Sequence, residues 1–315
     1  MSTLGSTGIE LHGLCLGGNT FGWTSDRKTS FEVLYAYTAA GGNFIDTADS
    51  YSAWVEGNSG GESETIIGAW LAARENRDRV VVATKVSQHP EFKGLSGDNV
   101  AAAAEASLRR LGIETIDLYY AHFDDAETPL QETAAAFEDL VTAGKIRAVG
   151  LSNYSPERVR EWFSIARREG YTLPVALQPH YNLVHRQTYE SGLSEIAKEE
   201  DLAVMPYFSL AAGFLTGKYR NQSDLDGAAR AGLAGKYLSV QGTRVLTALD
   251  SISGRLGVDM ATVALAWLRT RDQVAAPIAS ARSTEQLPAL LAAAEIDLTA
   301  DDARELTDAS TVMED

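Results

Sequence analysis

Eight short apolar runs punctuate the chain: 14–17, 43–47, 80–85, 116–122, 146–151, 174–178, 202–207 and 274–278. Most are continuous rather than alternating, the pattern of strands covered on both faces. Longer stretches of helical character separate them, and several carry readable ends. Ser155 before Pro156 predicts a helix start, with a stop at Gly170. Asp98 precedes an Ala-rich helix that closes near Gly112, and Pro129 opens another that closes near Gly144. Strands alternating with helices in this number predict a (β/α)8 TIM barrel, an α/β fold with a parallel sheet. The segment from Leu4 to Leu11, with Gly5 and Gly8, reads as a short N-terminal β-hairpin plugging the barrel bottom. No Gly-x-Gly-x-x-Gly follows any strand, which weakens the doubly wound alternative. Two stretches exceed what the scaffold needs, Trp54–Gly61 after the second run and Phe208–Gly242 after the seventh. Both fall on the C-terminal face, where long loops carry function.

Composition narrows the class. A chain of 315 residues that is 45% apolar and 22% charged fits one large globular domain and sets disorder aside. With 43 acidic residues against 27 Lys and Arg, and a net charge of −16, the surface repels nucleic acid and anionic membranes. The single Cys15 allows no internal disulfide and points to a reducing compartment. No leader-like start or long apolar span is visible, so the expected location is cytoplasmic. Oligomeric state has no signature.

Several familiar motifs fail. Gly150–Tyr154 lacks the closing Gly of a nucleophile elbow, and the stretch ending in Gly217-Lys218-Tyr219 has Tyr where a phosphate loop needs Ser or Thr. No His-x-His or His-Glu-x-x-His seeds a zinc site. What remains is a set of polar residues where apolar runs give way to loops: Asp46, Tyr51, Lys85 and His122. Alone, Asp46 could cap a turn, Tyr51 could be an ordinary loop residue and His122 a satisfied histidine. Lys85 is harder to dismiss, because a lysine ending an apolar strand needs a partner, and Asp46 is the natural one. Together they read as a proton-transfer site. In this reading Lys85 draws the Tyr51 phenol below its usual pKa of about 10, Asp46 aims Lys85, and His122 bonds the substrate oxygen or the phenol. Such a phenol suits a general acid.

These residues carry a resemblance. Phe44–Tyr51, Ala83–Lys85, Leu118–His122, Gly150–Asn153, Gln178–Asn182, Pro206–Leu210 with Gly213–Tyr219, and Pro277–Gln286 occur in the order found in the aldo-keto reductase superfamily. The chain resembles that family from the Gly5 region to near Leu291, which implies a single barrel domain over 1–315. The resemblance implies an oxidoreductase that reduces an aldehyde or ketone by hydride transfer from NADPH, with Tyr51 as acid assisted by Lys85, Asp46 and His122. It places Ser152, Asn153 and Gln178 on the nicotinamide carboxamide and Tyr207 against its ring. Ser209, Leu210, Gly213 and Leu215 fall on the pyrophosphate, and Ser280, Arg282 and Gln286 on the 2′-phosphate and adenine. Arg282 is the one obvious cation for that phosphate and favours NADPH. Leu290 stands where the family often has Asn or Glu, which leaves NADH open. Trp23, Trp54 and Phe123 are expected to form an aromatic cup for a small carbonyl substrate or merely to pack the loops. Two other readings of the same barrel are a Schiff-base aldolase using Lys85 and a cofactor-binding regulatory subunit with little turnover.

Overall fold

The computed structural model describes residues 2–228 and 230–311. A two-stranded antiparallel hairpin, β1 (Ser2–Thr3) and β2 (Glu10–Leu11), precedes eight parallel strands. These are β3 (Cys15–Gly17), β4 (Phe44–Asp46), β5 (Val81–Val86), β6 (Leu118–Ala121), β7 (Val149–Ser152), β8 (Ala176–Gln178), β9 (Ala203–Val204) and β10 (Ile278–Ala279). They pair in chain order with β10 beside β3, and a parallel bridge from Val204 to Val274 closes the ring. The fold is a (β/α)8 barrel.

Each predicted run overlaps its strand, and β5, β7 and β10 each extend one residue past theirs. The last begins later than its apolar run, because Pro277 has no N–H for the ladder and joins only as acceptor from Cys15 N, 3.0 Å. Helices follow the strands outside the ring, including Arg27–Ala39, Glu62–Arg74, Gly97–Leu111, Leu130–Thr142 and Pro156–Glu169. Ser155 caps the last of these through the Arg158 N–H, and Gly170 ends it at φ 74°, a left-handed position that suits glycine. The Ala-rich helix starts after Ser96, whose side chain makes no capping bond, so Asp98 lies in its first turn, where an acid suits the helix dipole. The long stretch after β9 ends sooner than the sequence suggests: Gly242 lies inside the helix Val240–Leu256, which Ser239 caps.

Strand parity divides the interior. Phe44, Val81, Ala83, Leu118 and Tyr120 face into the barrel and pack with Leu4 and Leu11 of the hairpin, which closes the bottom. Ile45, Val82, Val86 and Tyr119 face outward into the larger layer beneath the helices. Because side chains alternate with period two, the inward set continues to Asp46, Lys85 and His122 at the strand ends. Three staves therefore deliver three polar groups to the open mouth.

Candidate active site

Lys85 is fully buried, and its ammonium donates to Asp46 Oδ2 (2.7 Å), Thr47 O (2.6 Å) and Tyr51 Oη (3.1 Å). The loop following β4 returns Tyr51 over the lysine, and the Tyr51 hydroxyl donates to Asp46 Oδ2 at 3.3 Å. Gln178 Nε2 donates to the other carboxylate oxygen, Asp46 Oδ1, at 2.8 Å. In the strand order β8 lies opposite β4, so Asp46 is tied to its neighbour stave and to the far side of the mouth.

The phenol's titration runs against the sequence expectation. Burial first, and the Asp46 carboxylate second, hold the Tyr51 hydroxyl well above the ordinary tyrosine range, so it is a protonated donor. His122 stands beside it, with ring centroids 6.4 Å apart, and makes no hydrogen bond to the phenol. Its Nδ1 is buried and has no partner among the described residues. Burial, then the Lys85 charge, lower its pKa well below the usual histidine value, which leaves a neutral imidazole at pH 7.

Tyr51, Asp46 and His122 line one side of a cavity of about 900 Å³, within the roughly 300–1,000 Å³ typical of small-molecule and cofactor sites. Its walls gather Asn153, Gln178, Tyr207, Ser209, Leu210, Gly213, Ser280, Arg282 and Gln286 from the predicted set. Tyr207 donates its hydroxyl to Asn153 Oδ1 at 2.7 Å, and Asn153 Nδ2 donates to His122 O (2.9 Å) and Ser152 Oγ (3.0 Å). Ser152 is buried behind this layer, where its hydroxyl donates to Gln178 O at 2.9 Å. Leu215 is fully buried in the core and does not reach the cavity. The amides of Ala211, Gly213 and Leu215 close tight turns on the carbonyls of Phe208 and Leu210, so they are engaged within their own loop.

Arg282 is not the only cation. Lys218 and Arg230 line the same cavity, Lys218 over the Tyr219 ring (4.8 Å) and Arg230 over Trp23 (5.3 Å). None of the three has a carboxylate at ion-pair distance among the described residues. Burial, then Arg282, lower the Arg230 pKa. Asn19, just past β3, also reaches this wall. It accepts from Ser280 Oγ (2.7 Å) and Arg230 (3.4 Å). The strand-end rule that singled out Asp46 applies equally to Asn19; Lys218 and Arg230 lie in the long segment after β9, which has no periodicity to place them. Gly17 completes the wall, and a Cβ there would sit 2.5 Å from Ser280 Oγ. Leu290 is apolar cavity lining. At the mouth, Trp54 and Phe123 are 53% and 40% exposed, while Trp23 stands behind Trp54, edge-on at 5.5 Å, and does not line the cavity.

A parallel barrel whose open face holds a buried lysine–carboxylate–phenol group beside a large cavity has the architecture of a barrel oxidoreductase. The profile of the Aldo/keto reductase family matches residues 13–311, and the chain belongs to that family. Membership implies oxidoreductase activity on carbonyl groups. The chain is 34% identical to the uncharacterized oxidoreductase YrpG of Bacillus subtilis, over 97% of this chain and 94% of that protein. It is 32% identical to the L-glyceraldehyde 3-phosphate reductase of Escherichia coli, over 90% and 84% of the two chains. It is also 32% identical to a probable voltage-gated potassium channel subunit beta of Oryza sativa, over 90% and 88%. No helix among the described residues is long and apolar enough to cross a membrane.

Proposed function

We propose that this protein is an NADPH-dependent carbonyl reductase in which Tyr51 protonates the substrate oxygen. The observation that carries this reading is the contact of Lys85 Nζ with both Asp46 and the Tyr51 hydroxyl at the floor of the cavity. The residues present fit a nicotinamide dinucleotide. Tyr207 offers a ring face, Asn153 and Gln178 offer amides, and Lys218, Arg230 and Arg282 offer cations with no carboxylate partner among the described residues for phosphate groups. Nicotinamide, when bound, supplies the hydride. Tyr51 Oη holds its proton on Asp46 Oδ2 until negative charge develops on the substrate oxygen, and then donates it there. Lys85 Nζ, already on Tyr51 Oη, compensates the phenolate left behind, while Asp46 keeps the lysine charged and aimed. The neutral His122 ring orients the carbonyl oxygen. A proton donor placed in this way contributes typically about 10²–10⁴ in rate. Trp54 and Phe123, exposed aromatic rings at the mouth, suit an apolar or aromatic carbonyl compound.

Tyr51→Phe is expected to abolish turnover with a carbonyl panel while NADPH still quenches protein fluorescence; undiminished reduction would refute the acid assignment. Lys85 is an implausible Schiff-base nucleophile, since it is fully enclosed and donates three hydrogen bonds. The name of the rice relative attaches a channel-subunit role to a similar chain. Tight cofactor retention with negligible turnover over the whole panel would move this protein to that reading.

A further inference from the structure

Tyr207 is backed by a second aromatic element that the mechanism above does not use. His180, just beyond β8, bridges in parallel to Tyr207, and their rings stack with centroids 5.3 Å apart at 27°. His185 lies on His180 at 3.7 Å and 13°. Its place is set by a tight turn in which Asn182 and His185 exchange backbone hydrogen bonds of 3.1 and 3.0 Å. Tyr207 lines the cavity and neither histidine does. Burial lowers the pKa of both, that of His180 to about 4, so the stack is uncharged at pH 7. Tyr237 and Asn182 hold the edge of His180, each 3.4 Å from Nε2.

The Tyr207 hydroxyl is pinned by Asn153, but a phenol pinned only at its tip can still rock about its axis. We infer that His180 is a positioning residue for the dinucleotide: its imidazole, braced by His185, fixes the plane of Tyr207 and thereby the surface offered to the nicotinamide. This rests on the proposed stacking of Tyr207 with that ring. The side chain acts through its flat ring, with Nε2 serving only to hold it in place.

The test uses the whole protein and three variants, with NADPH and NADP+ titrated by quenching of protein fluorescence. His180→Gln keeps a polar side chain but removes the ring; His180→Phe keeps a ring and removes the nitrogens. Tyr207→Ala tests the underlying reading. Aromatic pairing of this kind converts to about 2- to 10-fold in binding. His180→Gln is expected to weaken both nucleotides by that factor, His180→Phe to bind within about two-fold of the parent, and Tyr207→Ala to weaken both at least as much as His180→Gln. If Tyr207→Ala binds normally, the stacking role of Tyr207 falls and this inference with it. If Tyr207→Ala weakens binding but His180→Gln does not, only the role of His180 is overturned. Restoration by Gln and loss in Phe would overturn the ring-based role in favour of a hydrogen-bonded latch.

Discussion

Replacing Lys85 with Met is the most searching perturbation, because it removes one member of an ion pair whose side chains are 0% and 2% exposed. At 2.7 Å and an effective dielectric of about 20, the Coulomb attraction is about 6 kcal/mol. Desolvation of the two ions opposes it with several kcal/mol each, so the pair as a whole adds little net stability. Removing one member is different. Asp46 would keep the hydrogen bonds from Gln178 and Tyr51 but would be a buried carboxylate without its cation. That situation costs about 3–5 kcal/mol, which for a chain of this size lowers the melting temperature by about 5–8 °C. Asp46→Asn should destabilise similarly by stranding the ammonium. The double variant Asp46→Asn/Lys85→Met strands no charge, so its loss should fall below the sum of the two by about 1–3 kcal/mol. Thermal melts followed by circular dichroism, with urea midpoints alongside, read this directly. Turnover should fall in all three by about 10²–10⁴, so stability and activity part company in the double variant. A Lys85→Met protein that melts with the parent, or strictly additive losses, would refute the coupled-pair argument.

Two further outcomes follow from other parts of the molecule. Neither carboxylate oxygen of Asp49 has a partner among the described residues, and burial, then the charge of Glu64, push its pKa well up. A raised carboxyl pKa contributes stability below the unfolded value of about 4, and that contribution is lost as pH rises through the folded value. Asp49→Asn should therefore raise the melting temperature at pH 7 and flatten its fall as pH rises above about 4; a less stable variant at neutral pH would count against this. Arg282→Ala should weaken NADPH by about 10- to 100-fold and leave NADH nearly unchanged, as expected for one lost charge-assisted phosphate contact. Equal losses in a fluorescence titration would move the 2′-phosphate to Lys218 or Arg230.

The barrel was legible because its strands are short, doubly covered and therefore almost wholly apolar; Val81–Val86, buried at every position, is the clearest case. Asp46, Lys85 and His122 were legible for a related reason, since each interrupts an apolar pattern on the inward parity. The direction of the Tyr51 pKa was not. Sequence order brings a lysine near the phenol but says nothing of how deeply the hydroxyl lies, nor that Asp46 would contact it as well. Leu215 was misplaced because loop position does not reveal which side chain turns to the core. Lys218 and Arg230 converge with Arg282 only through tertiary folding of the segment between β9 and the helix Val240–Leu256. The acidic overall composition therefore concealed three cations gathered on one cavity wall.

The hydrogen bond from Gln178 to Asp46 spans the barrel mouth, beneath Trp54 and Phe123. The counter-charge of Lys85 is thus fastened to opposite walls of the scaffold, independently of the peripheral segments. Exchange of those two rings can change which compounds are admitted while Asp46 and Lys85 keep their alignment. Selectivity at Trp54 and the placement of Tyr51 share one loop, and the Asp46–Lys85 pair with its Gln178 tether is the part anchored wholly in the barrel strands.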